Sequence, residues 1–194
     1  MHALIVVAHP DKNSLTHAVA SELSNGIVSN NSSHSFEFNN LAEEKFDPRF
    51  SSADLALFRN QASPPADVVA EQSRIDRADA LVLVYPVYWW SFPGLLKGWI
   101  DRVFTNGWAY DEDADGNPVK KLGRLQVHLV GIGASDLRTY ARHGYQAAMR
   151  TQIDHGIFEY VGARVASSEL LLLTSTGAES HLETSRRIGR QIFG

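Results

Sequence analysis

The sequence contains no cysteine among its 194 residues, and that absence alone excludes several kinds of chemistry. Disulfide bonds, thiolate metal sites and cysteine nucleophiles all need a thiol that this chain does not have. A basic surface is also lacking, because 18 lysines and arginines are outnumbered by 22 aspartates and glutamates and are scattered along the chain. Nucleic acid is therefore not an expected partner, and small molecules are favoured.

Long hydrophobic runs and targeting signals are missing as well. The longest apolar stretch, residues 80–90, has about half the length of a membrane span and is interrupted by Pro86. Met1 leads into the short apolar run 3–8 without the basic region, long apolar core and cleavage site of a signal peptide. We therefore expect a cytoplasmic protein that folds as a single domain over residues 1–194.

Strand and helix patterns alternate along the chain. Continuous apolar runs typical of buried parallel strands cover residues 3–7, 80–84, 125–131 and 164–173, and an alternating run at 35–39 is typical of an edge strand. Helical patterns cover residues 14–28, 66–78, 93–104, 140–160 and 178–192, and a short helix is expected at 53–58 in the irregular segment 41–65. This alternation predicts an α/β fold with a doubly wound, five-stranded parallel sheet of order 2-1-3-4-5 and helices on both faces.

The loop after the first strand, residues 9–17, lies where sheets of this kind bind ligands. It leads directly into the first helix, whose unpaired N–H groups would hold a phosphate together with Ser14, Thr16, His9 and His17. An ordinary helix cap with surface histidines is the alternative interpretation. Neither a Walker loop nor a Gly-x-Gly-x-x-Gly turn is present, which disfavours a nucleoside triphosphate or a Rossmann site.

Aromatic residues are concentrated after the third strand. Residues 85–92 contain five aromatic side chains, and Pro93 then suits the first turn of a helix. At a ligand-binding edge, such a loop predicts a wall for a flat conjugated ring. A hydrophobic plug or a dimer contact would also explain it.

These two loops resemble the flavodoxin-like NAD(P)H:quinone oxidoreductase family, which includes the ancillary quinone reductases of potassium-efflux systems. The resemblance depends on Ala8-His9-Pro10 and on a proline-aromatic loop followed by a Leu-Lys-x-Trp-x-Asp-Arg-Val-Phe helix, here residues 96–104. It extends over nearly the whole chain. It implies a flavodoxin-like fold, a bound flavin, and two-electron transfer from a nicotinamide nucleotide to a quinone by ping-pong hydride transfer.

The resemblance also implies the residues of a flavin site. The flavin phosphate would be held by His9, Ser14, Leu15, Thr16 and His17. One side of the isoalloxazine ring would be lined by Pro86, Val87, Tyr88, Trp89 and Trp90. The other side would be lined by a loop of Gly131, Ile132, Gly133 and Ala134. Relatives often have Thr-Thr-Gly-Gly in this loop, so this chain lacks their hydroxyl contacts to the flavin.

Two further residues match the tyrosine and histidine that assist charge stabilisation and proton transfer in such reductases. They are Tyr140, which would also contact the cofactor, and His143, for which an ordinary surface histidine is the alternative. The resemblance further implies a homodimer in which Trp108 and Tyr110 reach toward the partner's pocket.

FMN is the expected flavin because the chain ends soon after its last helix, with FAD as the alternative and NADPH or NADH as the electron donor. Quinones, azo dyes and nitroaromatic compounds all remain as alternative electron acceptors. A second function within the same family is a flavin-binding regulatory subunit that contacts a membrane transporter such as a potassium efflux system.

An acidic segment at residues 111–116 imitates the start of an EF-hand calcium loop. Leu122 stands where the final glutamate would be required, and Pro118 interrupts the loop. We interpret the segment as a solvated acidic hairpin, and the sequence predicts no metal site.

Overall fold

The computed structural model describes residues 1–173 and 177–194, and its central element is a parallel sheet. The strands of the chain are β1 (His2–Val7), β2 (Ser35–Asn40), β3 (Ala80–Pro86), β4 (Tyr110–Glu112), β5 (Pro118–Lys120), β6 (Gln126–Gly133) and β7 (Arg164–Leu172). Five of them form the sheet in the order β2-β1-β3-β6-β7, and β4 pairs with β5 in a separate antiparallel hairpin. Counted among themselves, the five parallel strands have the predicted order 2-1-3-4-5, so the flavodoxin-like α/β architecture is confirmed.

Helices cover both faces of this sheet. They are α1 (Leu15–Asn30), α2 (Ser52–Phe58), α3 (Ala66–Arg77), α4 (Gly94–Val103), α5 (Leu137–His143), α6 (Tyr145–Met149), a π-helix (Arg150–Glu159) and α7 (Ala178–Gln191). α1 and α7 pack on one face around Ile5 and Val82, whereas α3, α4 and the π-helix pack on the other around Leu83 and Trp99. Within the described ranges, no helix combines the length and apolarity needed to cross a membrane.

The prediction of one continuous helix over residues 140–160 is wrong. Gly144 adopts a left-handed conformation with φ of +68°, and its N–H bonds to the carbonyls of Tyr140 and Ala141, which ends α5. The chain then restarts as α6 and continues as the π-helix. The break turns the segment between β6 and β7 into three short pieces instead of one rod.

The other predicted elements are confirmed within a few residues. The prediction that residues 164–173 form a buried strand is wrong in one respect, because β7 lies at the edge of the sheet and only Leu171 and Leu172 in it are buried. The expected short helix is α2, which begins with a capping box between Ser51 and Asp54. The acidic segment forms the β4–β5 hairpin, where the Asp113 carboxylate accepts a hydrogen bond from the Asn117 N–H at 2.8 Å.

The carboxyl ends of three adjacent strands define the edge at which a ligand would bind. Val7 of β1 pairs with Val84 of β3, and Tyr85 of β3 pairs with Gly131 of β6. The loops that follow β1, β3 and β6 are therefore neighbours, which is the arrangement on which a site at this edge depends.

Candidate functional site

The N-terminus of α1 is open toward the loop that follows β1. Ser14 is the N-cap, and its Oγ accepts a hydrogen bond from the His17 N–H at 3.4 Å. Leu15 and Thr16 begin the helix, so their N–H groups have no acceptor within it. The first turn also carries no acidic residue, which leaves the positive end of the helix dipole available to an anion.

The two histidines of this loop are ordered by the backbone around them. His17 Nε2 lies 3.2 Å from the His9 carbonyl oxygen, and because a carbonyl only accepts, Nε2 of His17 carries a proton. His9 Nδ1 accepts a hydrogen bond from the Asp11 N–H at 3.0 Å. Thr16, predicted to add a side-chain donor to this loop, is buried, and its backbone N–H in the first turn of α1 is the group left without an acceptor in the helix.

The loop after β3 contains a strained turn, residues 88–91, which we call the aromatic turn. Tyr88 and Ser91 exchange both backbone hydrogen bonds, at 3.2 and 3.0 Å, while Trp89 and Trp90 have φ of +50° and +54°. Positive φ at both central positions is the type I′ geometry that asparagine and glycine usually adopt. For a residue with a large side chain, it costs roughly 1–2 kcal/mol. Strain of this kind is concentrated at functional sites in proteins.

This turn presents both rings and hydrogen-bond donors. The Trp89 side chain is 89% exposed and that of Tyr88 is 49% exposed. Across residues 1–173 and 177–194, the N–H groups of Trp89 and Trp90 find no acceptor. A flat polar ring placed here would meet an aromatic wall and two free backbone donors.

The segment 131–134, predicted as a loop beside the flavin ring, is largely part of a strand, so its prediction as a loop is wrong. Gly131, Ile132 and Gly133 belong to β6, because the Val87 N–H donates to the Ile132 carbonyl at 2.8 Å and the Leu173 N–H donates to the Gly133 carbonyl at 3.0 Å. Ala134 is the first residue beyond the strand, and it is exposed. β6 therefore extends two residues further than the predicted 125–131, since its neighbours on both sides continue to pair with it.

Tyr140 and His143 are placed very differently. The Tyr140 side chain is 2% exposed, and burial raises the pKa of its phenol. Its hydroxyl lies only 2.7 Å from the position that a Cβ at Gly133 would occupy, so the glycine permits this close approach. His143, by contrast, is exposed at the end of α5.

Sequence reasoning missed Tyr145, which brings these residues together. Its ring stacks on His143 at 5.1 Å and meets Tyr140 edge to face at 6.2 Å between ring centroids. The Tyr145 ring also stacks on Trp90, with 3.7 Å between ring centroids and an interplanar angle of 23°. An aromatic residue directly after the glycine that ends a helix was the only signal in the sequence.

The aromatic turn is also tied to the π-helix. The Ser91 hydroxyl donates a hydrogen bond to Gln152 Oε1 at 2.6 Å. Trp108 and Tyr110 lie elsewhere, beside the hairpin, where Trp108 Nε1–H donates to Asp76 at 3.2 Å and Tyr110 packs edge to face on Tyr160. The structure thus brings the α1 loop, the aromatic turn and the end of β6 to one edge of the sheet, and these parts would suit a planar ring that carries a phosphate.

Comparisons with known proteins agree with the fold described above. The family model described as Flavodoxin-like fold matches residues 1–190. The chain is 31% identical over 171 residues to an uncharacterized NAD(P)H oxidoreductase of Haemophilus influenzae, covering 88% of this chain and 83% of that protein. A shorter match, 39% identical over 80 residues, links it to the glutathione-regulated potassium-efflux system ancillary protein KefF of an Enterobacter species, covering 41% of this chain and 44% of that protein.

Among solved structures, the chain is similar to the NAD(P)H:quinone oxidoreductase from Methanothermobacter marburgensis. The TM-score is 0.86 with 27% sequence identity, and the superposition covers 98% of each chain. The likeness therefore includes every element that contributes to the edge described above.

Proposed function

Because the chain belongs to the flavodoxin-like NAD(P)H oxidoreductase family, we propose that it is a flavin-dependent enzyme that reduces quinones or similar flat acceptors by two electrons at the expense of NAD(P)H. The observation that carries the proposal is the strained aromatic turn beside the open N-terminus of α1. Strain at Trp89 has no packing role, since Trp89 is 89% exposed. The names of the relatives in Haemophilus and Methanothermobacter supply the reaction class.

The residues present fit a flavin. The free N–H groups of Leu15 and Thr16, with Ser14, His9 and His17 around them, would hold its phosphate. Pro86, Val87 and the aromatic turn would line one side of the isoalloxazine, and the end of β6 up to Ala134 would line the other. We propose FMN as the form bound, with FAD as the alternative.

When bound, the flavin would supply hydride acceptance from NADPH or NADH and two-electron delivery to the acceptor. The residues of the chain position these molecules and handle protons. Burial keeps the Tyr140 phenol protonated, so it can donate a hydrogen bond beside Gly133. His143 is exposed and can exchange a proton with solvent and with an acceptor oxygen. One open pocket would then serve donor and acceptor in turn, which is ping-pong turnover.

An absorbance spectrum of the purified protein tests this function. We expect flavin bands that bleach when NADPH or NADH is added without oxygen and that return when a simple quinone follows. Chromatography of the extracted flavin separates FMN from FAD, and the two bleaching rates identify the preferred nucleotide. A protein that cannot be loaded with either flavin would contradict the proposal.

A regulatory subunit is the second candidate, and the match to the potassium-efflux ancillary protein favours it. In that case the chain would bind flavin and nucleotide to control a membrane transporter. A flavin that stays oxidised in the presence of both nucleotides would support this candidate. Rapid steady-state quinone turnover by the isolated protein would support the enzyme.

We also propose that the protein is a homodimer. An apolar groove of about 420 Å³ opens between α2 and the segment after α4, and Tyr110 lines it. Phe50, Leu55 and Phe58 on its rim are 51%, 39% and 60% exposed. Exposed apolar surface of this kind marks protein interfaces, and it adjoins Tyr110, which would approach the partner's site.

Replacing Phe58 by glutamate is expected to separate the subunits, because a charge would be buried at the interface. Light scattering should give the mass of two 21.5 kDa chains for the natural protein and of one chain for Phe58→Glu. Val28→Glu, which changes an exposed apolar residue of α1, is the matched control and should stay dimeric. A natural chain that scatters as a monomer would overturn the proposal.

A further inference from the structure

Within the described parts of the chain, a single hydrogen bond joins the aromatic turn to another element of the fold. It runs from the Ser91 hydroxyl to Gln152 Oε1 at 2.6 Å, a normal length for a bond between two oxygens. The two backbone bonds between Tyr88 and Ser91 close the turn on itself and do not connect it to its surroundings. Gln152 is therefore the partner through which hydrogen bonding anchors the turn.

Gln152 lies on an element that is fixed in the core. It belongs to the π-helix, in which Ile153 is 1% exposed and Phe158 is fully buried. Both of these side chains belong to the same hydrophobic cluster as Phe92, the residue that follows the turn. A π-helix is rare and is frequently found at functional sites, which agrees with a role for this segment beside the candidate site.

The Gln152 side chain is available for this task because nothing else in the described chain uses it. It is exposed, and the bond from Ser91 is the one hydrogen bond that it makes among residues 1–173 and 177–194. A second contact on the turn is the stack of the Trp90 ring on Tyr145. That stack holds an indole ring, whereas the hydrogen bond holds the residue that closes the turn.

The turn needs such an anchor because its own backbone disfavours its shape. Trp89 and Trp90 have φ of +50° and +54°, a region that residues with a bulky side chain rarely adopt. An opened turn would relieve this strain, although it would lose the backbone bonds between Tyr88 and Ser91. Strain therefore offsets part of what the closing bonds contribute, and one external hydrogen bond shifts the balance.

We propose that Gln152 is a positioning residue for the flavin, because through Ser91 it keeps the aromatic turn closed. The closed turn presents the free N–H groups of Trp89 and Trp90 to the ring. The inference deepens the proposed function and rests on it. Gln152 touches no reacting atom and acts only on the fraction of molecules in which the turn is closed. Because the flavin binds the closed form, its affinity falls in proportion to that fraction.

Hydrogen exchange of the backbone amides of residues 88 and 91, measured by NMR in the flavin-free protein, reports how often the turn opens. Gln152→Leu removes the acceptor and Ser91→Ala removes the donor, so each should lower the protection of both amides about twofold. The combined variant should be no less protected than either single one, because both changes remove the same bond. Gln152→Glu keeps an oxygen acceptor on a side chain of the same length, and its protection should equal that of the natural chain.

The flavin Kd of the same variants is measured by quenching of flavin fluorescence. We expect it to rise about twofold in Gln152→Leu, so that this factor and the loss of protection multiply to about fivefold, or about 1 kcal/mol for one hydrogen bond. The two factors share this total because exchange occurs from the open turn and the flavin binds the closed one. At saturating flavin, kcat and KM for a quinone should not change, which separates a positioning role from a catalytic one.

Gln146→Leu is the matched control. Gln146 is an exposed glutamine of α6, and its side chain makes no hydrogen bond within the described residues. The substitution should change neither the protection of the turn amides nor the flavin Kd.

Two outcomes would overturn the inference. Unchanged protection in both Gln152→Leu and Ser91→Ala would mean that the stack on Tyr145 holds the turn. Lower protection with an unchanged flavin Kd would mean that the flavin does not depend on the closed turn. If the natural chain binds no flavin, the proposed function fails separately, and the exchange measurement still decides whether Gln152 holds the turn.

Discussion

A chain in which Ser14 is replaced by aspartate is expected to bind flavin about a hundredfold more weakly than the natural chain. Aspartate caps a helix as well as serine does, so α1 should begin at the same residue. Its carboxylate would, however, stand beside the proposed phosphate. Two like charges about 5 Å apart, at an effective dielectric constant near 20, repel by about 3 kcal/mol, and each 1.4 kcal/mol is a factor of ten.

Ser14→Asn is the matched control for this substitution. Asparagine has the shape of aspartate and caps equally well, but it is neutral. The Kd of each variant follows from quenching of flavin fluorescence, and thermal unfolding of the flavin-free proteins should show equal stability. Equal flavin affinity in the aspartate and asparagine variants would mean that the phosphate does not lie at the start of α1.

The second large effect is expected where α1 crosses α7, at Gly189. A Cβ on Gly189 would lie 2.1 Å from the Leu23 carbonyl oxygen and 3.0 Å from the Gly26 Cα. Alanine would favour the helix by about 1 kcal/mol in isolation, but here it must push two backbones apart. We expect Gly189→Ala to lower the free energy of unfolding by about 3 kcal/mol, because the separation loosens the packing of Leu23 and Ile188.

Urea denaturation measures this loss, and Gly94→Ala is the control. A Cβ at Gly94, the first residue of α4, would meet nothing within 4 Å. That substitution should leave stability unchanged or raise it by about 0.4–1 kcal/mol by restricting the unfolded chain. A Gly189→Ala protein as stable as the natural one would show that the two helices can move apart freely.

Patterns of apolar residues were sufficient to predict the sheet. Strands buried on both faces need continuous apolar runs, so the segments that became β1, β3 and β6 could be predicted from the sequence. The run that became β7 was also found, although β7 lies at the edge of the sheet and only Leu171 and Leu172 in it are buried. The break at Gly144 was not, because glycine is tolerated inside helices and the residues around it have ordinary helical patterns. The end of β6 was missed for a related reason: Gly131 and Gly133 are poor strand residues, and they belong to the strand because they pair with β3 and β7 on either side.

For the site, too, some features follow from the sequence and others only from the tertiary structure. The sequence by itself determined which chemical groups are present and on which strand ends they lie, because loop position in a parallel sheet follows from the order of elements. Only the tertiary structure decided how these groups meet: that Trp89 and Trp90 are strained, that Tyr140 is buried on Gly133, and that Tyr145 stacks on Trp90. Such contacts join residues far apart in the chain, and a side chain's burial and partners are set by the packing of whole elements, which no local pattern encodes.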